Sequence, residues 1–114
     1  MIYHIAERQR WQAAELAGGA ENYRPAGYTA EGFIHCSTSA QLLEVANRLF
    51  RGRNDLLLLS IDDAQLHTQL VYENLEGGDE QYPHVYGTFN ADAVLRTDAL
   101  VPSINGRFNR LPFT

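Results

Sequence analysis

The run Leu56-Leu57-Leu58-Leu59-Ser60-Ile61, closed by Asp55 on one side and Asp62-Asp63 on the other, constrains this chain more than any other stretch. It is far short of the ~20 apolar residues that cross a bilayer as a helix. It also lacks the apolar–polar alternation of a strand with one wet face. A nearly continuous run of this length between acids reads as a strand over 55–61 buried on both faces. The 114 residues make one domain, 1–114. A chain of this size removes roughly two-thirds of its unfolded surface from water, enough for a core without disulfides or metal.

The remaining elements follow from local patterns. A first strand is predicted over 2–5. A helix over 7–17 places Trp11 and Ala14 inward and is stopped by Gly18-Gly19. The turn formers of 22–28 make a loop, and 31–37 reads as a second strand. Thr38-Ser39-Ala40-Gln41 has the form of a capping box. It opens a helix over 38–51 with Leu42, Ala46, Leu49 and Phe50 on one stripe. Further strands are predicted over 69–73, 82–88 and 94–101, with Phe108, Leu111 and Phe113 of the tail available to pack. Without regular βαβ alternation, the class is α+β.

Charge narrows the function. The formal net charge is −5, and all nine basic residues are arginines. A negative domain is not expected to bind long nucleic acid, because counterion release needs a basic surface. The absence of lysine excludes a lysine Schiff base and a P-loop. Arg48, Arg51 and Arg53 read as complements to the C-terminal end of the second helix, in preference to a phosphate clamp. No membrane span or secretory signal is visible, and the lone Cys36 fits a reducing cytoplasm.

Chemistry-bearing residues cluster by strand parity. Side chains alternate along a strand, so Phe33, His35 and Ser37 share one face while Ile34 and Cys36 take the other. The helix over 38–51 should cover Ile34 and Cys36, leaving Cys36 a packed thiol against Leu42 and Ala46. His35 then faces an open cleft, and His4 of the first strand is expected to face the same cleft. No spacing among His4, His35, Glu73 and His84 supports a metal site. His35-Cys36-Ser37 has the form of one H-x-S motif of the two-histidine phosphoesterases, and His84-Val85-Tyr86 lacks the second.

Ile2-Tyr3-His4-Ile5, Glu31-Gly32-Phe33-Ile34-His35-Cys36-Ser37-Thr38 with Gln41, Tyr72-Glu73, and Tyr82-Pro83-His84-Val85-Tyr86-Gly87 together resemble the domain-of-unknown-function 952 family. The resemblance runs from Ile2 to about residue 100. That family is grouped by fold with the ADP-ribosyltransferases, so the resemblance implies a split, mixed β-sheet with flanking helices around an NAD cleft. It implies cofactor contacts from His4, Tyr3, Phe33, Ser37 and Tyr86, with His4 on a ribose hydroxyl. It further implies Glu73 as the glutamate that steadies an oxocarbenium-like transition state, with His35 and His84 beside it. Ile5 stands where the related transferases carry glycine.

Three functions are therefore expected. The first is binding of a nucleotide-like small molecule in a cleft lined by His4, His35, Glu73 and His84, with NAD-dependent transfer as its sharper form. The second is a non-catalytic module binding a metabolite or a protein. The third is a hydrolase or phosphoesterase using His35 and His84 as an acid–base pair.

Overall fold

In chain order the elements are β1 (Ile2–Glu7), α1 (Arg8–Leu16), α2 (Tyr28–Glu31), β2 (Ile34–His35), α3 (Leu42–Leu49), β3 (Leu56–Ile61), β4 (Gln69–Glu73), β5 (Tyr82–Tyr86) and β6 (Val94–Leu100). They are seen in a computed structural model, which describes residues 1–113. β3 is central in one sheet of order β1-β3-β6, and β5 is central in a second of order β2-β5-β4. Every pairing within both sheets is antiparallel. The sheet is split, but the mixed sheet implied by the resemblance is not found. The reason is connectivity: β4 and β5 are joined directly by a loop, which sets them antiparallel, and β2 adds to β5 in the same sense.

The double burial of β3 is realised by two different layers. On one face Leu56 and Leu58 join Ile5, Leu42, Ala46 and Leu100, together with Phe108 and Leu111 of the tail. On the other, Leu59 and Ile61 join Ile2, Ala6, Trp11, Ala14, Tyr23, Ile34, Cys36, Val85 and Phe89. So α3 and the tail cover one side, while α1 and the back of the second sheet cover the other. Each fully buried leucine of β3 contributes about 1.5–3 kcal/mol of transfer free energy.

α1 ends as its glycines predict. Gly19 N–H reaches the Ala14 carbonyl at 2.9 Å and Gly18 N–H reaches that of Glu15 at 3.2 Å, a Schellman pair closed at positive φ. The strand expected over 31–37 is shorter than its pattern. Gly27 and Gly32, at φ 86° and 81°, bracket a helical turn at Tyr28–Glu31, and only Ile34–His35 pairs as strand. The helix expected over 38–51 is also shorter, because residues 38–41 form a turn. Half of its capping box forms: the Gln41 side-chain oxygen accepts the Thr38 N–H at 3.0 Å.

Cys36 is buried as expected, but under a different layer. It packs with Ile2, Trp11 and Tyr23, and not against Leu42 and Ala46. Strand parity identifies the buried face of β2, and that face turns toward the layer shared with α1. Burial pushes the thiol well above the usual cysteine range, so it is a poor nucleophile.

The tail is locked to α3 by one side chain. Asn47 accepts the Phe108 N–H at 2.8 Å and donates to the Phe108 carbonyl at 2.9 Å. Asn47→Leu strands both backbone groups at the edge of the core, with an expected loss of about 1–3 kcal/mol in chemical denaturation. A loss below ~0.5 kcal/mol shows that the tail holds without the clamp.

Candidate functional site

The cleft begins where the two sheets part. β1 and β2 meet at one bridge, in which Tyr3 N–H donates to the Ser37 carbonyl at 2.9 Å and Ser37 N–H to that of Tyr3 at 2.8 Å. Two residues further on, Ile5 and His35 are not paired. Instead the His4 imidazole crosses the gap, with Nδ1 2.6 Å from the His35 carbonyl oxygen. A carbonyl only accepts, so Nδ1 carries the proton. Nε2 then accepts from the Tyr23 hydroxyl, also at 2.6 Å. Burial pulls the His4 pKa down to about 4, which keeps the ring neutral at pH 7 and fits this tautomer.

A cavity of about 410 Å³ opens along this split. Tyr3, His4 and Ser37 line it at the junction, His35, Glu73 and His84 line it from the second sheet, and Glu31 lines it from the end of α2. Val45, Arg48 and Leu49 of α3 close another side, with Phe50, Arg53 and Glu7 beyond them.

The register of the second sheet sets His35 directly opposite His84, and Glu73 opposite Tyr82. Phe33, His35, His84, Tyr86 and Glu73 consequently share one face, as the parity of β2 predicts for its own residues. The two imidazoles stand 5.1 Å apart, centre to centre, at 76°. Each rests on a carboxylate. His35 Nε2 is 2.8 Å from Glu31 Oε2, and His84 Nδ1 is 2.8 Å from Glu73 Oε1. The Tyr86 hydroxyl donates to the same Glu73 oxygen. That hydroxyl first, and then the His84 ring, holds the Glu73 carboxyl below the ordinary glutamate range.

His84 is almost fully enclosed, with 3% of its surface exposed. Phe33 stacks on it at 4.2 Å and 19°. With Nδ1 committed to Glu73, Nε2 is the remaining ring nitrogen, and no described residue pairs with it. This is an imidazole held rigid by a carboxylate and an aromatic plate, with its free nitrogen on a ring that lines the cavity.

The predicted site residues thus take distinct places. His35, His84 and Glu73 come together, with Phe33 as the plate and Tyr86 as the anchor of Glu73. Tyr3 lines the cavity with its ring stacked on Phe113 at 5.2 Å, and Ser37 lines it at the bridge. His4 also lines the cavity, so both histidines reach it, but both nitrogens of His4 have partners within the chain. Two participants were not foreseen, Glu31 and Tyr23. Glu31 precedes His35 by four residues, the spacing of neighbours on a helix, but 31–37 reads as a strand, where that pairing is not sought. The Tyr23–His4 contact joins a loop to β1 and has no local pattern. Among the described residues no three histidine, cysteine or acidic side chains are grouped to hold a metal ion, and no helix is long and apolar enough to cross a membrane.

An α+β domain of two small antiparallel sheets, linked by a single bridge and opening a histidine–glutamate cleft at their split, is the class that these elements define. The family of proteins of unknown function designated DUF952 matches residues 5–97, and the chain belongs to it. The crystal structure of protein CC0527 from Caulobacter crescentus is similar at 32% identity and a TM-score of 0.81, covering 95% of this chain and 92% of that one. The solution structure of CC0527 gives 34% identity and a TM-score of 0.79, over 95% and 90% of the two chains. No curated protein matches the sequence.

Proposed function

We propose that the cleft binds a small molecule and that His35 and His84 move protons on it. The observation that supports this reading is the pair of imidazoles 5.1 Å apart, each braced by its own glutamate. A carboxylate behind each ring fixes its tautomer and steadies the imidazolium that forms when the free nitrogen takes a proton. With one ring charged and its neighbour neutral, the pair supplies an acid and a base within one ligand's reach.

A second reading, NAD-dependent transfer on an ADP-ribosyltransferase-like fold, draws on Glu73. Its carboxyl lines the cleft and is held ionised, which suits a developing positive charge on a ribose. In this reading His4 acts as a brace between β1 and β2, because both of its nitrogens are engaged.

Isotope-labelled protein titrated with a fragment collection that includes NAD, ADP-ribose and nicotinamide separates these readings. Fragments are expected to move the ring signals of His35 and His84 together, and His84→Gln is expected to weaken their binding about tenfold or more. Fragments that move only distant signals, or none that bind at millimolar concentration, overturn the reading. Nicotinamide released from NAD by the wild type and lost in Glu73→Gln moves the assignment to the transferase.

A further inference from the structure

We infer that the cleft selects a small organic cation that donates hydrogen bonds, an amine or amidine carried on an apolar body. The inference rests on the reading of the cleft as a small-molecule site, and it comes from an inventory of what the walls offer.

The walls are rich in acceptors. His84 Nε2 is the telling atom: its side chain is 4% exposed, its other nitrogen is held by Glu73, and no described residue donates to it. A lone pair on the cavity wall that no described residue satisfies offers a place for a ligand's donor. One strand away the half-exposed His35 offers a second acceptor, with Nε2–H on Glu31 and Nδ1 without a partner among the described residues. The second oxygens of Glu31 and Glu73 also receive no donor from the described residues.

The strong cations are already paired. Arg48 is bracketed by Glu44 at 3.0 Å and Glu76 at 3.8 Å. Arg53 is bracketed by Asp55 at 2.5 Å and Glu7 at 3.0 Å. Each guanidinium therefore sits between two carboxylates and carries no surplus positive charge for a ligand. Glu7, Glu31, Glu73 and Glu76 line the cavity against these two arginines, in a chain of net charge −5. A phosphate or carboxylate entering here meets a negative field and competes with the carboxylates already paired to each arginine. An ammonium or amidinium meets open acceptors and a favourable field.

The rest of the wall suits the body of such a ligand. Ile5, Val45, Leu49, Phe50 and Leu75 supply apolar surface, and Tyr3 and Tyr82 add aromatic side chains to it.

Benzamidine, benzamide and benzoate test the inference, because they share one shape and differ in charge and donors. Each is titrated into the isotope-labelled full chain. Benzamidine is expected to move the signals of His35, His84 and Ser37 and to bind about tenfold more tightly than benzamide, and more tightly still than benzoate. Raising salt to ~0.5 M is expected to weaken it several-fold, since the field is screened. Glu76→Gln, an exposed change at the rim, is expected to weaken benzamidine a few-fold and to improve benzoate. Benzamide or benzoate binding in the cleft as tightly as benzamidine overturns the charge preference and leaves the small-molecule reading standing. If none of the three moves a cleft signal, the inference fails, and the fragment titration decides the broader reading separately.

Discussion

Leu58→Ala is expected to lower the unfolding free energy by about 2–5 kcal/mol, the range for truncating a fully buried leucine. Leu58 is 0% exposed, sits mid-strand opposite Ile5 and Asp98, and packs with Leu42 and Ala46 of α3 and with Phe108 and Leu111 of the tail. The expected cost has two parts, the lost transfer of the side chain and the void left among neighbours drawn from three separate segments. Those neighbours cannot collapse together, because β1 and β6 are fixed by ladder bonds on either side. Since a domain of this size commands only about 5–15 kcal/mol in total, the variant stands close to the unfolding threshold. Urea denaturation measures the difference, with an unchanged slope as the sign that the unfolded state is the same. A loss under ~1 kcal/mol shows that the layer of α3 and tail does not close on β3.

Stability is also expected to fall by about 3 kcal/mol as the pH drops from 6.5 toward 4, on account of His4 alone. Its pKa is lowered to about 4 in the folded chain, from an ordinary value of 6.5. The unfolded chain therefore takes up the proton first, and between those two values it binds more protons than the folded one. Acid then favours unfolding, and the contribution is intact above pH 6.5. Protonation also puts a second N–H on the ring, where the Tyr23 hydroxyl now donates. The carboxylates with lowered pKa, among them Glu7 and Asp63, lose their share only as the pH falls through the ordinary carboxylate range and below, so their window lies lower. Unfolding curves for wild type and His4→Gln across pH 4.5–7.5 isolate the effect. The variant is expected to be weaker at neutral pH and flatter with acid. Equal slopes for the two proteins refute the assignment to His4.

What could be read in advance divides along a physical line. Patterns with a short period were legible: the unbroken run of β3, the inward Trp11 and Ala14 of α1, and the parity that puts Phe33 and His35 on one face and Ile34 and Cys36 on the other. Parity names a face without naming what covers it, which is why Cys36 was expected under α3 and lies in the layer of α1. The joining of His35 with His84 depends on the register between β2 and β5, and register is settled by packing across about fifty residues of chain. The helical turn at Tyr28–Glu31 was missed because its two bracketing glycines decide the local path, and an apparent strand pattern runs straight through one of them. It carried Glu31 with it, and so one of the two carboxylates of the site.

The single Tyr3–Ser37 bridge has a consequence for how such a cleft changes over time. A continuous ladder holds neighbouring strands at a backbone-defined spacing of about 4.8 Å, whatever the side chains are. Past this bridge the separation of β1 and β2 is gauged by the His4 imidazole, which the Tyr23 phenol steadies from a loop, two side chains replaceable one at a time. Substitution at position 4 or 23 therefore resets the aperture while both sheets keep their own pairing. Descendants of one ancestor can in this way fit ligands of different girth without rebuilding the walls that hold the histidine pair.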